Sequence, residues 1–100
     1  MARLSTYEVR FRALAPNNLG ENPSARLTEA LKAMPGIVRL LSAESGAPER
    51  SVGGAFCLEV AGGMAAAARD SSRLAKEALK LAGMGDARLV DLQISLLQVR

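Results

Sequence analysis

The chain has 100 residues, 49% of them apolar but only 3% aromatic, with 13 basic against 10 acidic side chains and no histidine. That length builds one domain around one core, and the core must come from Leu, Val, Ile, Ala and Met. The missing histidine removes the commonest general base, the usual metal ligand and every histidine-dependent nucleophile triad. The single Cys57 excludes an internal disulfide.

Charged residues interrupt every apolar run well before the ~20 residues of a membrane span. The opening "MARLSTYEVR" has no apolar stretch ahead of its first charges, so no secretory leader is expected and the expected location is the cytoplasm. The opening Met1 and a last strand running toward Arg100 are what a complete small chain would show. The arginines are dispersed from Arg3 to Arg100 without a basic tract, so the formal charge of +3 argues only weakly for nucleic acid.

In chain order, "TYEVRFRAL" alternates Tyr7, Val9, Phe11 and Ala13 against Glu8, Arg10 and Arg12, the period of a half-buried strand. "APNNLGENP" reads as a loop, and Asn22-Pro23 as a helix start in which the Asn side chain caps free amides. Leu27, Ala30, Leu31 and Met34 then share one helical face until Pro35-Gly36 stops it. "IVRLLSA" is a second, less regular strand. "ESGAPERSVGG" reads as an eleven-residue polar connector, long for a hairpin, and "AFCLEVA" as a third strand with Phe56, Leu58 and Val60 opposite Cys57 and Glu59.

A second helix carries Leu74, Ala75, Ala78, Leu79 and Ala82 on one face, with Lys76 and Lys80 suiting the dipole at its C-terminal end. Two starts stay open for it, one near Met64 and one near Ser71, where Asp70, Ser71 and Ser72 would cap a shorter helix. The last strand, "RLVDLQISLLQV", sets Val90, Leu92, Ile94 and Leu96 inward and Asp91, Gln93 and Ser95 outward. The adjacent Leu96 and Leu97 break that alternation and point to a bulge or an edge change.

The order β-α-β-β-α-β with right-handed crossovers predicts an α+β, ferredoxin-like sandwich: one domain over residues 1–100, a four-stranded antiparallel sheet with both helices on one face. The first strand then lies between the third and fourth. Arg10 and Arg12 would neighbour Cys57 and Glu59 on one side and Asp91, Gln93 and Ser95 on the other. These seven residues form the expected interaction face. It lacks the central-strand aromatics of an RNA-binding sheet, because Tyr7, Phe11 and Phe56 fall in the core phase.

No family of this architecture is assigned. A metal carrier would need a CxxC pair and an acylphosphatase-type site an arginine in the first loop; neither is present. The carboxylates Glu8, Glu44, Glu49, Glu59 and Asp91 supply potential acid-base pairs but equally suit solvated strand ends. Cys57 reads as a small hydrophobe, with Arg10 and Arg12 expected beside it if the thiol proves reactive. "VAGGMAAAARD" resembles the start of a phosphate-binding turn. Without a further glycine, or a Lys, Ser or Thr at the helix start, it reads as a close-packed strand-to-helix turn, and Gly62, Gly63 and Met64 as a weak anion candidate.

The reading therefore assigns no catalytic residue, no metal and no cofactor. It expects a small non-catalytic interaction or assembly module whose partner is a second copy of the chain or another protein, through the uncovered sheet face or a sheet edge. The alternatives are a small-molecule or anion-sensing domain and, more weakly, a low-specificity nucleic-acid binder; a membrane partner is not expected.

Overall fold

The alternating segments close into one four-stranded antiparallel sheet in the computed structural model, which describes residues 4–17, 19–46 and 50–99. The elements are β1 (Leu4–Leu14), α1 (Pro23–Lys32), β2 (Ile37–Gly46), β3 (Ser51–Ala61), α2 (Met64–Leu81) and β4 (Arg88–Val99). The strand order is β2-β3-β1-β4, and every neighbouring pair is antiparallel. The fold is α+β. Tyr7, Val9, Phe11 and Ala13 of β1 and Phe56, Leu58 and Val60 of β3 face one core with Leu27 and Leu31 of α1 and Leu74 and Leu79 of α2. Both helices thus cover the same side of the sheet and leave the other side bare. No helix among the described residues is long and apolar enough to cross a membrane.

The expected long connector between the second and third strands is mostly strand. β2 runs to Gly46 and β3 begins at Ser51, with Glu44 opposite Gly53 and Ala43 opposite Gly54. Gly53 and Gly54 are there for close approach, not for turning. A Cβ on Gly53 would lie 2.7 Å from the Phe11 carbonyl oxygen, and one on Gly54 would lie 2.9 Å from the Phe11 ring.

The irregular alternation of β2 and β4 has a concrete cause. Each strand carries two one-residue register shifts, which insert Val38 and Leu41 in β2 and Val90 and Leu97 in β4. Of the bulge or edge change expected near Leu96–Leu97, the structure has the bulge, at Leu97. Val90, expected inward, is instead the extra residue of a second bulge and is 55% exposed, while Leu89 takes the inward place opposite Ala13. Leu96 shares the core phase of Tyr7 but lies on the edge strand and stays half exposed.

α2 starts at Met64, which resolves the two starts in favour of the earlier one. It closes in a Schellman turn, Met84 N–H to Leu79 O and Gly83 N–H to Lys80 O, with Met84 buried behind it. α1 starts at Pro23 as expected, but Asn22 makes no side-chain cap. It sits instead in the left-handed region (φ 50°), which Asn tolerates better than most residues, and its carbonyl accepts the Arg26 N–H.

Arg26 fastens the loop before α1 to the end of α2. Its guanidinium donates to the carbonyls of Glu21 (3.1 Å), Ala82 (3.1 Å) and Leu19. Replacing Arg26 with Ala strands the carbonyls of the buried Leu19 and Ala82, and a drop of about 2 kcal/mol is expected. It should appear as a lower urea midpoint at unchanged slope. Arg26→Lys recovers only part of this, because an ammonium cannot fork across three acceptors.

Candidate functional site

The bare face of the sheet is built in cross-strand rows. One row reads Glu44, Gly53, Arg12, Asp91 from β2 to β4; the next reads Ser42, Ala55, Arg10, Gln93; the third reads Arg39, Cys57, Glu8, Ser95. Asp91 and Gln93 thus stand beside Arg12 and Arg10 on the β4 side as the alternation implies. On the β3 side the neighbours differ from the expected ones. Gly53 and Ala55 flank the two arginines, Cys57 faces Glu8, and Glu59 faces Thr6. β3 begins four residues earlier than its apolar run suggests, and the whole register slides with it.

The relief of this face follows from side-chain size. Along β3 the outward residues Ser51, Gly53, Ala55 and Cys57 are small, and all are buried although no helix covers them. The long side chains of the flanking strands form ridges on either side; the Arg12 Cγ would meet a Gly53 Cβ at 3.3 Å. The result is a shallow trough of about 160 Å³ lined by Arg10, Arg12, Ser42, Glu44, Asp91 and Gln93. Arg10 pairs with Glu8 of the next row at 3.3 Å, and within the trough the Gln93 amide donates to Asp91 at 3.4 Å.

Glu44 and Asp91 are too far apart to act as an acid-base pair. Glu44 and Asp91 share a row but belong to opposite edge strands, three strand spacings or about 14 Å apart. Glu49, with Arg3, Asn18 and Arg100, lies outside the described residues. Cys57 is 6% exposed, and its direct cross-strand neighbours are Glu8 and Arg39, not Arg10 or Arg12. Among the described residues no three Cys, Asp or Glu side chains gather as a metal site.

The weak anion candidate keeps its backbone but gains nothing more. Gly62 (φ 123°) and Gly63 (φ 85°, ψ −168°) turn the chain into α2 through conformations that only glycine enters readily. No side chain caps this helix end. Ala67 is buried and Gly62 packs toward Ala66, so the segment serves as a tight strand-to-helix turn.

A second surface escaped the sequence reading. Ser72, Lys76 and Lys80 recur every four residues along α2 and form one wall of a groove of about 730 Å³; Arg88, Leu89 and Leu92 of β4 lie across from them. The signal was present in the spacing of the two lysines, but both were read only as partners of the helix dipole.

No protein-family model matches the sequence, and no curated protein matches it either.

Proposed function

We propose that the sheet has the ferredoxin-like arrangement and that the chain is a small non-catalytic interaction module that pairs with a second copy of itself through the bare sheet face. The observation that carries this reading is the trough: small, already buried residues along β3 between charged ridges of both signs. A two-fold axis makes such a face self-complementary, because the Arg12 ridge of one copy enters the trough of the other and meets its Glu44. The order β2-β3-β1-β4 supports the ferredoxin-like reading, with the first strand between the third and fourth. A standard interface takes about 800 Å² from each partner, or about one seventh of the 5855 Å² surface here.

Sedimentation equilibrium at tens of micromolar should give a mass near twice 10.5 kDa. Arg12→Glu should weaken the dimer at least tenfold, and adding Glu44→Arg to that variant should restore it. A 10.5 kDa monomer at 100 micromolar, or a dimer indifferent to Arg12→Glu, overturns the reading.

A further inference from the structure

The groove between α2 and β4 is a different surface from the trough and has a different character. Its cations are Lys76, Lys80 and Arg88, all exposed, and its carboxylate is Asp91. Other charges of α2 are matched locally, Arg73 with Glu77 at 3.6 Å and Arg69 with Asp70 at 3.7 Å. Among the described residues no ion pair involves Lys76, Lys80 or Arg88. Asp91 already accepts from Gln93 on the bare face. The groove therefore carries an excess of unmatched positive charge beside an apolar wall of Leu89, Val90 and Leu92.

β4 is also an edge strand, so one row of its backbone N–H and C=O groups has no strand partner within the sheet. Natural edges are usually blunted by bulges, lysine or proline. β4 has bulges at Val90 and Leu97, but the run Asp91–Leu96 between them keeps regular pairing with β1 and contains neither lysine nor proline. The opposite edge, β2, is broken at Val38 and again at Leu41. The longer unbroken run is thus on β4, and its start, Asp91 and Leu92, lies in the cationic groove.

Spacing joins these two observations. Residues four apart on a helix are about 6 Å apart along its axis, and alternate residues of a strand are about 7 Å apart. Lys76 and Lys80 therefore match acidic side chains at alternate positions of an extended chain. We propose that an extended acidic peptide adds to β4 as a fifth strand with one end in the α2–β4 groove: its backbone pairs along Asp91–Leu96, and acidic residues at alternate positions of the end beside Arg88–Leu92 reach Lys76, Lys80 and Arg88. The intervening residues project toward Asp91 on the bare face and must be neutral. This is strand addition to a sheet edge with a helix as the second wall.

The test uses fluorescence anisotropy with two labelled peptides of identical composition, TDTDTDT with alternating acids and TTTTDDD with contiguous ones. The alternating peptide should bind at least fivefold more tightly, and Lys76→Gln with Lys80→Gln should weaken it at least fivefold. Both lysines are exposed, so circular dichroism of the double variant should be unchanged. Arg12→Glu, which addresses the proposed dimer face, should leave peptide binding intact, so failure of one reading is separable from failure of the other. Backbone amides within Asp91–Leu96 should gain hydrogen-exchange protection in the complex. Equal binding of the two peptides, indifference to the lysine substitutions, or unchanged amide protection overturns the proposal. So does tighter binding of a single-stranded oligonucleotide or inorganic phosphate that the same lysine substitutions abolish.

Discussion

Phe56→Ala is expected to remove about 3–5 kcal/mol of stability, the largest loss from any single truncation in this chain. Phe56 is 0% exposed and stands between Val9 and Leu40 on the neighbouring strands, so every side of the ring is protein. Its centroid is 6.2 Å from that of Phe11 with the planes tilted by 60°, an edge-biased contact that adds to the area buried. The chain has two phenylalanines, one tyrosine and no tryptophan, so Phe56 is one of only three large rings in it. A small domain has only about 5–15 kcal/mol in total, so much of that margin goes. At about 4–8 °C per kcal/mol for a chain of this size, the melting temperature should fall by roughly 12–40 °C. Scanning calorimetry of the two proteins reads this directly. A loss below about 1.5 kcal/mol would mean that Phe56 is not the packed centre.

Gly53→Ala is the second large effect, and it arises from one added methyl group. The new Cβ would lie 2.7 Å from the Phe11 carbonyl oxygen, a backbone atom held by the β1 ladder. A flexible side chain could swing aside, but a strand in the middle of a sheet cannot. Overpacking of this kind costs about 2–3 kcal/mol. Gly85→Ala is the control, because its Cβ would meet only Lys80 atoms at 3.6 Å, an ordinary contact, and it should stay within about 0.5 kcal/mol. Guanidinium melts of the two variants decide the matter. If Gly53→Ala proves as mild as Gly85→Ala, the spacing of β1 and β3 is not set by the missing side chain.

These two positions also mark where the sequence was legible and where it was not. Phe56 declared itself by alternation, as did Tyr7, Val9 and Phe11, because β1 and β3 are central strands with one face sealed by helices and a residue out of phase there would be costly. Edge strands tolerate extra residues, so the bulges at Val38, Leu41 and Val90 leave no clear periodic trace; only the doubled leucine at Leu96–Leu97 gave one away. Gly53 was misread because a glycine that turns the chain and a glycine that lets two strands approach look alike in one dimension. Asn22 was misread for a related reason: its side chain suits a cap, but its backbone tolerance is what the structure uses.

The candidate surfaces were legible by phase but not by register. Arg10, Arg12, Asp91, Gln93 and Ser95 do share the bare face, yet their β3 neighbours depend on where β3 starts, which the glycines concealed. The cationic groove was beyond sequence reasoning as a whole. Lys76 and Lys80 announce a shared helix face, but Arg88 joins them only through the packing of α2 beside β4. Arg26 was invisible for the same reason, since its acceptor on Ala82 is 56 residues away.

The unequal edges of the sheet differ in where a further strand would find an unbroken ladder. Open-ended growth by strand addition needs two competent borders, one to receive and one to offer, and here the first half of β2 is interrupted twice while β4 holds a regular run. On β2 an unbroken run remains from Ser42 to Gly46, at the end of the strand that leads into β3, whereas the β4 run from Asp91 to Leu96 lies in mid-strand. The asymmetry of the two borders is thus one of degree and position, six unbroken residues in the middle of β4 against five at one end of β2.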